Sequence, residues 1–254
     1  METEPRAATV YCLPYAGGNA YAYRPLEQHL PAGIRLVGIE LPGRGQRARE
    51  PLCRSLEALA DDVFAGLRPR LHDGRYALFG HSMGASLCFL CLRRIAAAGL
   101  PLPAAVFLSG ARPPTHPGRE EGRHLLPREG FVDMLRTLGG CPPEVLAEES
   151  LIDYFEPILR ADFEAVETWR PASVAPPLPV PFVVLHGQGD SFGQAEAGDW
   201  ARETALACRL HEFPGGHFFI LRHWPEIARL IGDALLAGVD PAAERAAGPL
   251  LQTA

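Results

Sequence analysis

The stretch Leu78-Phe79-Gly80-His81-Ser82-Met83-Gly84 runs straight into Ala85-Ser86-Leu87-Cys88-Phe89-Leu90. One apolar run enters the pattern G-x-S-x-G and another leaves it, which is the order strand, sharp turn, helix. Such a turn strains the backbone at the serine, and a Cβ at position 80 or 84 would collide with neighbouring main chain. It lifts one hydroxyl above the edge of a sheet and puts the next backbone N–H at a helix N-terminus, where developing negative charge is stabilised. The bare pattern recurs by chance in many proteins. Its setting here makes Ser82 a candidate nucleophile rather than a buried serine at a glycine-rich turn.

Working outward from this turn, short β-like runs alternate with helical ones. Strands are expected at residues 8–13, 34–41, 76–79, 104–108, 180–186 and 208–213. Helices are expected at 23–30, 56–67, 85–98 and 225–236. The 56–67 segment has apolar residues at 56, 59, 60, 63, 64 and 67, a helical period, and Gly99 stops the helix that follows Ser82. This alternation predicts an α/β fold, a mostly parallel central sheet flanked by helices. Residues 112–170 break it. They open with Pro113-Pro114-Thr115-His116-Pro117-Gly118 and then turn helical, at 131–138, 143–147 and 151–169. A helical lid insertion over the C-terminal ends of the strands is expected there, with a long crossover as the plainer alternative. The whole of 1–254 reads as one domain of the size such folds reach. No repeat is visible, and the tail beyond Asp240 reads as loose.

Composition narrows the function. The net charge of −6 argues against a nucleic-acid partner, and no run approaches the roughly 18 apolar residues of a membrane span. Met1-Glu2-Thr3-Glu4-Pro5 lacks the basic and apolar regions of a signal peptide. Six scattered cysteines, of which Cys88 and Cys91 form the one C-x-x-C pair on the apolar run after Ser82, suit a reduced cytoplasm, with no disulfide framework and no zinc site. Cys88 and Cys91 read as small core residues. All 24 basic residues are arginine, which removes lysine and Schiff-base chemistry.

A serine hydroxyl needs a base within hydrogen-bond reach, and the base needs an orienting acid. Of nine histidines, His217 follows Phe213-Pro214-Gly215-Gly216, a loop after the last expected strand, and precedes an apolar helix. It is the candidate base. His81 should point away from the hydroxyl, His211 sits within a strand, His223 lies on the next helix, and His116 and His124 belong to the cap. The strand 180–186 ends in Gly187-Gln188-Gly189-Asp190, so Asp190 is the candidate acid. The preceding strand ends Ser109-Gly110-Ala111-Arg112 with no carboxylate, and Asp199 reads as a helix cap near Trp200. An oxyanion hole requires two N–H donors. Met83 supplies one, and Ala16, in Pro14-Tyr15-Ala16-Gly17-Gly18, the other. The order Ser82, Asp190, His217 is the chain order of α/β-hydrolases.

The chain resembles the stand-alone (type II) thioesterases of nonribosomal-peptide and polyketide assembly lines. The resemblance rests on Cys12-Leu13-Pro14-Tyr15-Ala16-Gly17-Gly18, Leu41-Pro42-Gly43-Arg44-Gly45-Gln46-Arg47, Phe79-Gly80-His81-Ser82-Met83-Gly84-Ala85, Leu159-Arg160-Ala161-Asp162-Phe163 and Phe213-Pro214-Gly215-Gly216-His217-Phe218-Phe219, in the same order. It implies the α/β-hydrolase fold, the triad Ser82, Asp190 and His217, and an oxyanion hole from the Ala16 and Met83 N–H groups. It implies no cofactor of the protein's own: the acyl or aminoacyl group arrives as a thioester on the phosphopantetheine arm of an acyl or peptidyl carrier protein. A cytoplasmic monomer that edits misprimed carriers is the expectation, with no metal, no nucleic acid and no membrane. A medium-chain fatty-acyl-carrier thioesterase and a small-ester esterase are the alternatives. Ala111-Arg112-Pro113-Pro114 and Asp190-Ser191-Phe192-Gly193-Gln194 depart from the family pattern and bear on the acyl pocket. Arg44, Arg47, Arg49 and Arg54 read either as a basic rim for an acidic carrier or as solvated surface. Arg160 and Asp162 read as a lock on the cap helix.

Overall fold

Strands β1 (Ala8–Leu13), β3 (Tyr76–His81) and β4 (Ala105–Ser109) consist wholly of buried residues. Continuous apolar burial without alternation requires cover on both faces, the situation of a parallel sheet between helical layers. That is the arrangement in the computed structural model, which describes residues 8–72, 74–113, 115–116, 122–171 and 175–236. With β2 (Ile34–Gly38), β5 (Phe182–Gly187) and β6 (Cys208–Phe213), the strands form one sheet in the order β2-β1-β3-β4-β5-β6, every pair parallel. The edge strands β2 and β6 are only partly buried, as their single neighbour dictates.

The helices are α1 (Arg24–Glu27), α2 (Leu56–Leu67), α3 (Met83–Ala97), α4 (Arg128–Leu138), α5 (Pro143–Ala147), α6 (Glu149–Thr168), α7 (Gln194–Gly198) and α8 (Trp224–Leu236). Alternation along β3 divides the core. Leu78 packs with Leu59, Val63 and Leu92 of α2 and α3, whereas Phe79 packs with Phe107, Ile227 and Ile231 on the α8 side. The α2 helix starts where Ser55 Oγ accepts the Ala58 N–H at 3.3 Å, satisfying one of its free donors. Helices α4 to α6, all between β4 and β5, build a small apolar cluster of their own from Phe131, Leu135, Leu146 and Phe163.

Several boundaries differ from the sequence expectation. The first helix is one short turn, Arg24–Glu27, not 23–30. The second strand stops at Gly38, ahead of the Leu41-Pro42-Gly43 turn that proline and glycine impose. The fifth begins at Phe182, because Pro181 has no N–H for the ladder. Asp199 is not an N-cap: it begins a short 3-10 stretch and pairs with Arg202 at 3.2 Å. His223 precedes α8 instead of lying on it. Pro114, Pro117, Gly118 and the tail beyond Asp240 lie outside the described residues.

Strand order decides where a site can form. From β1 the chain goes one way to β2 and the other way to β3, so the loops after β1 and β3 diverge and leave a crevice at the strand C-termini. Leu13 is level with Gly80, His81 with Ser109, and Gly187 with Phe213. The segments that follow these residues carry Ala16, Ser82, Asp190 and His217.

Candidate active site

Ser82 has φ 54° and ψ −119°, and it is the only non-glycine residue with positive φ among the described residues. The strain is held from both sides. The Ser82 N–H donates to Ser109 O at 2.7 Å, and the chain around it is too close for larger residues. A Cβ on Gly80 would lie 2.1 Å from Gly84 O, and one on Gly84 would lie 2.2 Å from Leu13 O. A strained conformation over-determined by its surroundings is a frequent mark of a functional residue. Met83 is the first residue of α3, so its N–H has no acceptor within the helix.

On the other side of the crevice the loops after β5 and β6 are stitched together. The Gln188 N–H donates to Phe213 O at 2.9 Å and the Gly189 N–H to Gly215 O at 2.8 Å. This brings Asp190 to His217, whose Nδ1 lies 2.9 Å from Oδ2 and 3.1 Å from Oδ1. The carboxylate is 1% exposed and also accepts the Ser191 N–H at 2.7 Å. Ser82 and His217 line one cavity of about 360 Å³ with Ala16 and Met83, and no hydrogen bond joins the Ser82 hydroxyl to His217. Such bonds are often long before a substrate is bound. Leu135, Phe155, Leu159 and Phe163, from α4 and α6, give the cavity its apolar wall.

The thioesterase domain family model matches residues 8–235. The chain belongs to this family. The thioesterase is 34% identical over 234 residues to "Thioesterase PikA5" of Streptomyces venezuelae, covering 91% of this chain and 82% of that protein. Its structure is similar to that of "the type II thioesterase BorB from the borrelidin biosynthetic cluster", with a TM-score of 0.83, 36% identity and coverage of 92% of this chain and 95% of that one. It is also similar to "ClbQ from the colibactin NRPS/PKS pathway", with a TM-score of 0.84, 32% identity and coverage of 90% and 97%. The resemblance drawn from sequence motifs to type II thioesterases agrees with these relatives, and the fold is that of the α/β-hydrolases.

The other histidines of the thioesterase weighed as the base sit in structural surroundings. His81 is fully buried, with Nδ1 2.9 Å from Ser109 Oγ and Nε2 without a partner. Burial, and after it the neighbouring His217, hold the His81 pKa well below its ordinary value of 6.5. His124 Nδ1 lies 2.5 Å from Glu167 Oε2, His116 Nε2 lies 3.5 Å from Glu196 Oε1, and His223 Nε2 lies 3.0 Å from Pro214 O. His211 lies on the edge strand β6, and burial lowers its pKa.

The arginine cluster after β2 is not a free basic rim. Arg44 is 2% exposed and grips Asp162 of α6 with both terminal nitrogens, at 2.6 and 2.7 Å. Arg47 binds Glu50 and Asp62, and Arg54 binds Glu164. Of the four, Arg49 is the one left exposed with no salt bridge among the described residues. Spacing could not have revealed the first of these pairs, since 118 residues separate its members. Both departures from the family pattern reach the cavity: Arg112 lines it beside Phe192, over whose ring the guanidinium sits at 4.8 Å. All six cysteines are free, and burial pushes the Cys91 thiol up to about 12. Among the described residues no helix is long and apolar enough to cross a membrane, and no His, Cys, Asp or Glu cluster is placed to hold a metal.

Proposed function

We propose that the protein hydrolyses acyl and aminoacyl thioesters carried on the phosphopantetheine arms of acyl or peptidyl carrier proteins, using Ser82, His217 and Asp190. One observation carries the reading. A serine on a strained strand-to-helix turn shares a cavity wall with a histidine whose far nitrogen is held by a buried carboxylate. That hydrogen bond leaves Nε2 of His217 as the free nitrogen, the one that can take a proton from Ser82.

In the first half-reaction His217 Nε2 accepts the Ser82 proton as Oγ bonds to the thioester carbonyl carbon. The carbonyl electron pair moves onto oxygen and is met by the Ala16 and Met83 N–H groups. The pair returns as the C–S bond breaks, and His217 gives its proton to the departing sulfur. A pantetheine thiol has a pKa of about 8.5, so it leaves more readily than an alkoxide and needs little acid assistance. Water then repeats the sequence: His217 takes its proton, the hydroxide adds to the acyl-serine, and the proton returns to Ser82 as the acid departs. Asp190 keeps the ring in the required tautomer throughout.

The apolar cavity between the sheet edge and α4 to α6 accommodates the acyl group, with these helices acting as a lid. The similarity to PikA5, BorB and ClbQ supports carrier-bound substrates and an editing role in a nonribosomal-peptide or polyketide pathway. The six unpaired cysteines support a reducing, cytoplasmic setting. We take the active form to be a monomer that uses no metal or cofactor.

The test is a panel of carrier proteins loaded with acetyl, aminoacyl, short branched and octanoyl groups, with released acids read by mass spectrometry. Broad release that vanishes in Ser82→Ala is expected. Octanoyl release about 100-fold faster than all others would transfer the protein to fatty-acid chain termination. A preference for oxygen esters over matched thioesters would make it an esterase.

A further inference from the structure

Asp162 is completely buried, yet it belongs to α6, far from the triad in sequence. Its carboxylate accepts three donors. Two are the terminal nitrogens of Arg44, and the third is the backbone N–H of Gly17, at 2.8 Å. Arg44 donates in turn to Gly18 O at 3.3 Å. The ion pair therefore clasps the loop that carries Ala16.

That loop is a four-residue turn. The Gly18 N–H donates to Tyr15 O at 2.8 Å, and φ is positive at Gly17, +77°, but not at Ala16. A positive φ at the third position alone is the type II form. Its central peptide, between Ala16 and Gly17, can turn over to give type I, which reverses the direction of the Gly17 N–H. Asp162 accepts that N–H and so selects type II. Leu159, one turn before Asp162 on the same face of α6, closes the other side: a Cβ on Gly17 would lie 2.5 Å from its Cδ2. The turn aims the donor as well. Tyr15 C=O is drawn inward to Gly18, and because the peptide is planar and trans, the Ala16 N–H points the opposite way.

Stability does not account for this arrangement. A buried ion pair is often no more stabilising than apolar side chains of the same volume. Here Arg44 Nε is also buried without a partner, which adds a cost. We propose that Asp162 is a positioning residue for the reaction: by holding the Gly17 N–H, and Gly18 O through Arg44, it fixes the place of the turn whose Ala16 N–H serves as an oxyanion donor, so that the oxyanion hole is complete only when α6 is seated. The inference rests on the role given to Ala16 under Proposed function. Seating of the lid and readiness for catalysis then become one event, and an acyl group that holds α6 away from the sheet is hydrolysed slowly even when it fits the cavity.

The test replaces the pair with apolar residues, Arg44→Met with Asp162→Leu, which keeps the packing and removes the acceptor. Steady-state hydrolysis of an acyl-carrier is compared with binding of two acyl-pantetheine analogues. One is a trifluoromethyl ketone, which forms an anionic adduct on Ser82, and the other an unreactive thioether. The expected result is a folded protein with kcat lowered about 10- to 100-fold and KM within about threefold. Ketone affinity should fall by the same factor as kcat, and thioether affinity should hold. A folded double variant with kcat within about threefold of the parent overturns the proposal. So does a loss confined to KM with both analogues weakened equally, which is the pattern of a helix anchor alone. If the double variant does not fold, Gly17→Ala decides. It disturbs the turn without touching the ion pair, and full kcat in that variant also overturns the proposal. Ser82→Ala is run alongside. Activity there sinks the triad reading, whereas an inactive Ser82→Ala beside a fully active double variant sinks only the role of Asp162.

Discussion

The rings of His81 and His217 stand with centroids 4.9 Å apart and planes tilted by 48°. The first is sealed from water between Ser109, Tyr15 and the Phe218-Phe219 rings, while the second lines the cavity. In the proposed mechanism His217 carries a positive charge transiently during hydrolysis. A permanent charge on His81 at this separation would oppose it, so burial of His81 suits that mechanism as well as the packing.

A pH dependence of stability follows. The folded-state pKa of His81 lies well below 6.5, so below pH 6.5 the unfolded chain binds a proton that the folded chain refuses. Stability is present above this pH and is lost as pH falls. One such group contributes a slope of about 1.4 kcal/mol per pH unit. Denaturant unfolding between pH 6.5 and 5 is expected to show a shallower slope in His81→Phe than in the parent. The lowered pKa values of His186 and His211 act in the same direction. An unchanged slope would contradict the assignment.

Asp190→Asn should leave the fold intact and lower kcat by about 10³- to 10⁴-fold, because an amide at this position no longer selects the tautomer with a free Nε2. Single-turnover release of acid from an acyl-carrier measures the effect. A loss below about tenfold would show that His217 is oriented by something else.

Gly84→Ala should be damaging despite its size. The added methyl meets a main-chain oxygen of β1, at 2.2 Å, and neither β1 nor α3 can yield without spoiling the sheet. A destabilisation of about 3 kcal/mol is expected, read as a fall in the thermal midpoint.

Phe155→Ala enlarges the cavity that Ser82 also lines. The ratio of octanoyl to acetyl hydrolysis should rise about tenfold, the scale on which apolar pockets discriminate by size. Competition between the two loaded carriers in one reaction gives the ratio directly.

Arg47→Ala should act on stability rather than on carrier binding. The guanidinium already serves Glu50 and Asp62 and the Glu40 carbonyl. A loss of about 1 kcal/mol in denaturant unfolding, with KM for an acyl-carrier unchanged, is the expected pair of results.

Local chemistry alone determined a good deal. Apolar periodicity gave α2 with its bounds unchanged, and the bounds expected for β6 also held. Gly80 and Gly84 around Ser82 announced a turn too tight for side chains, and the distances to Gly84 O and Leu13 O bear out that reasoning. Asp190 and His217 were readable because each sits in a glycine-bearing loop directly after a strand, and a parallel sheet gathers all such loops at one edge. Boundaries shifted where a proline or a turn intervened, as at Pro181 and after Gly38. Only tertiary structure could decide the fate of Arg44, Asp162 and His81. A charged side chain in a sequence carries no mark of what it will meet, and Arg44 and Asp162 come from segments that pack together only after the sheet has formed. Whether such a group stays in water as a binding surface or is drawn inside to hold a backbone amide depends on desolvation and geometry, both properties of the folded chain.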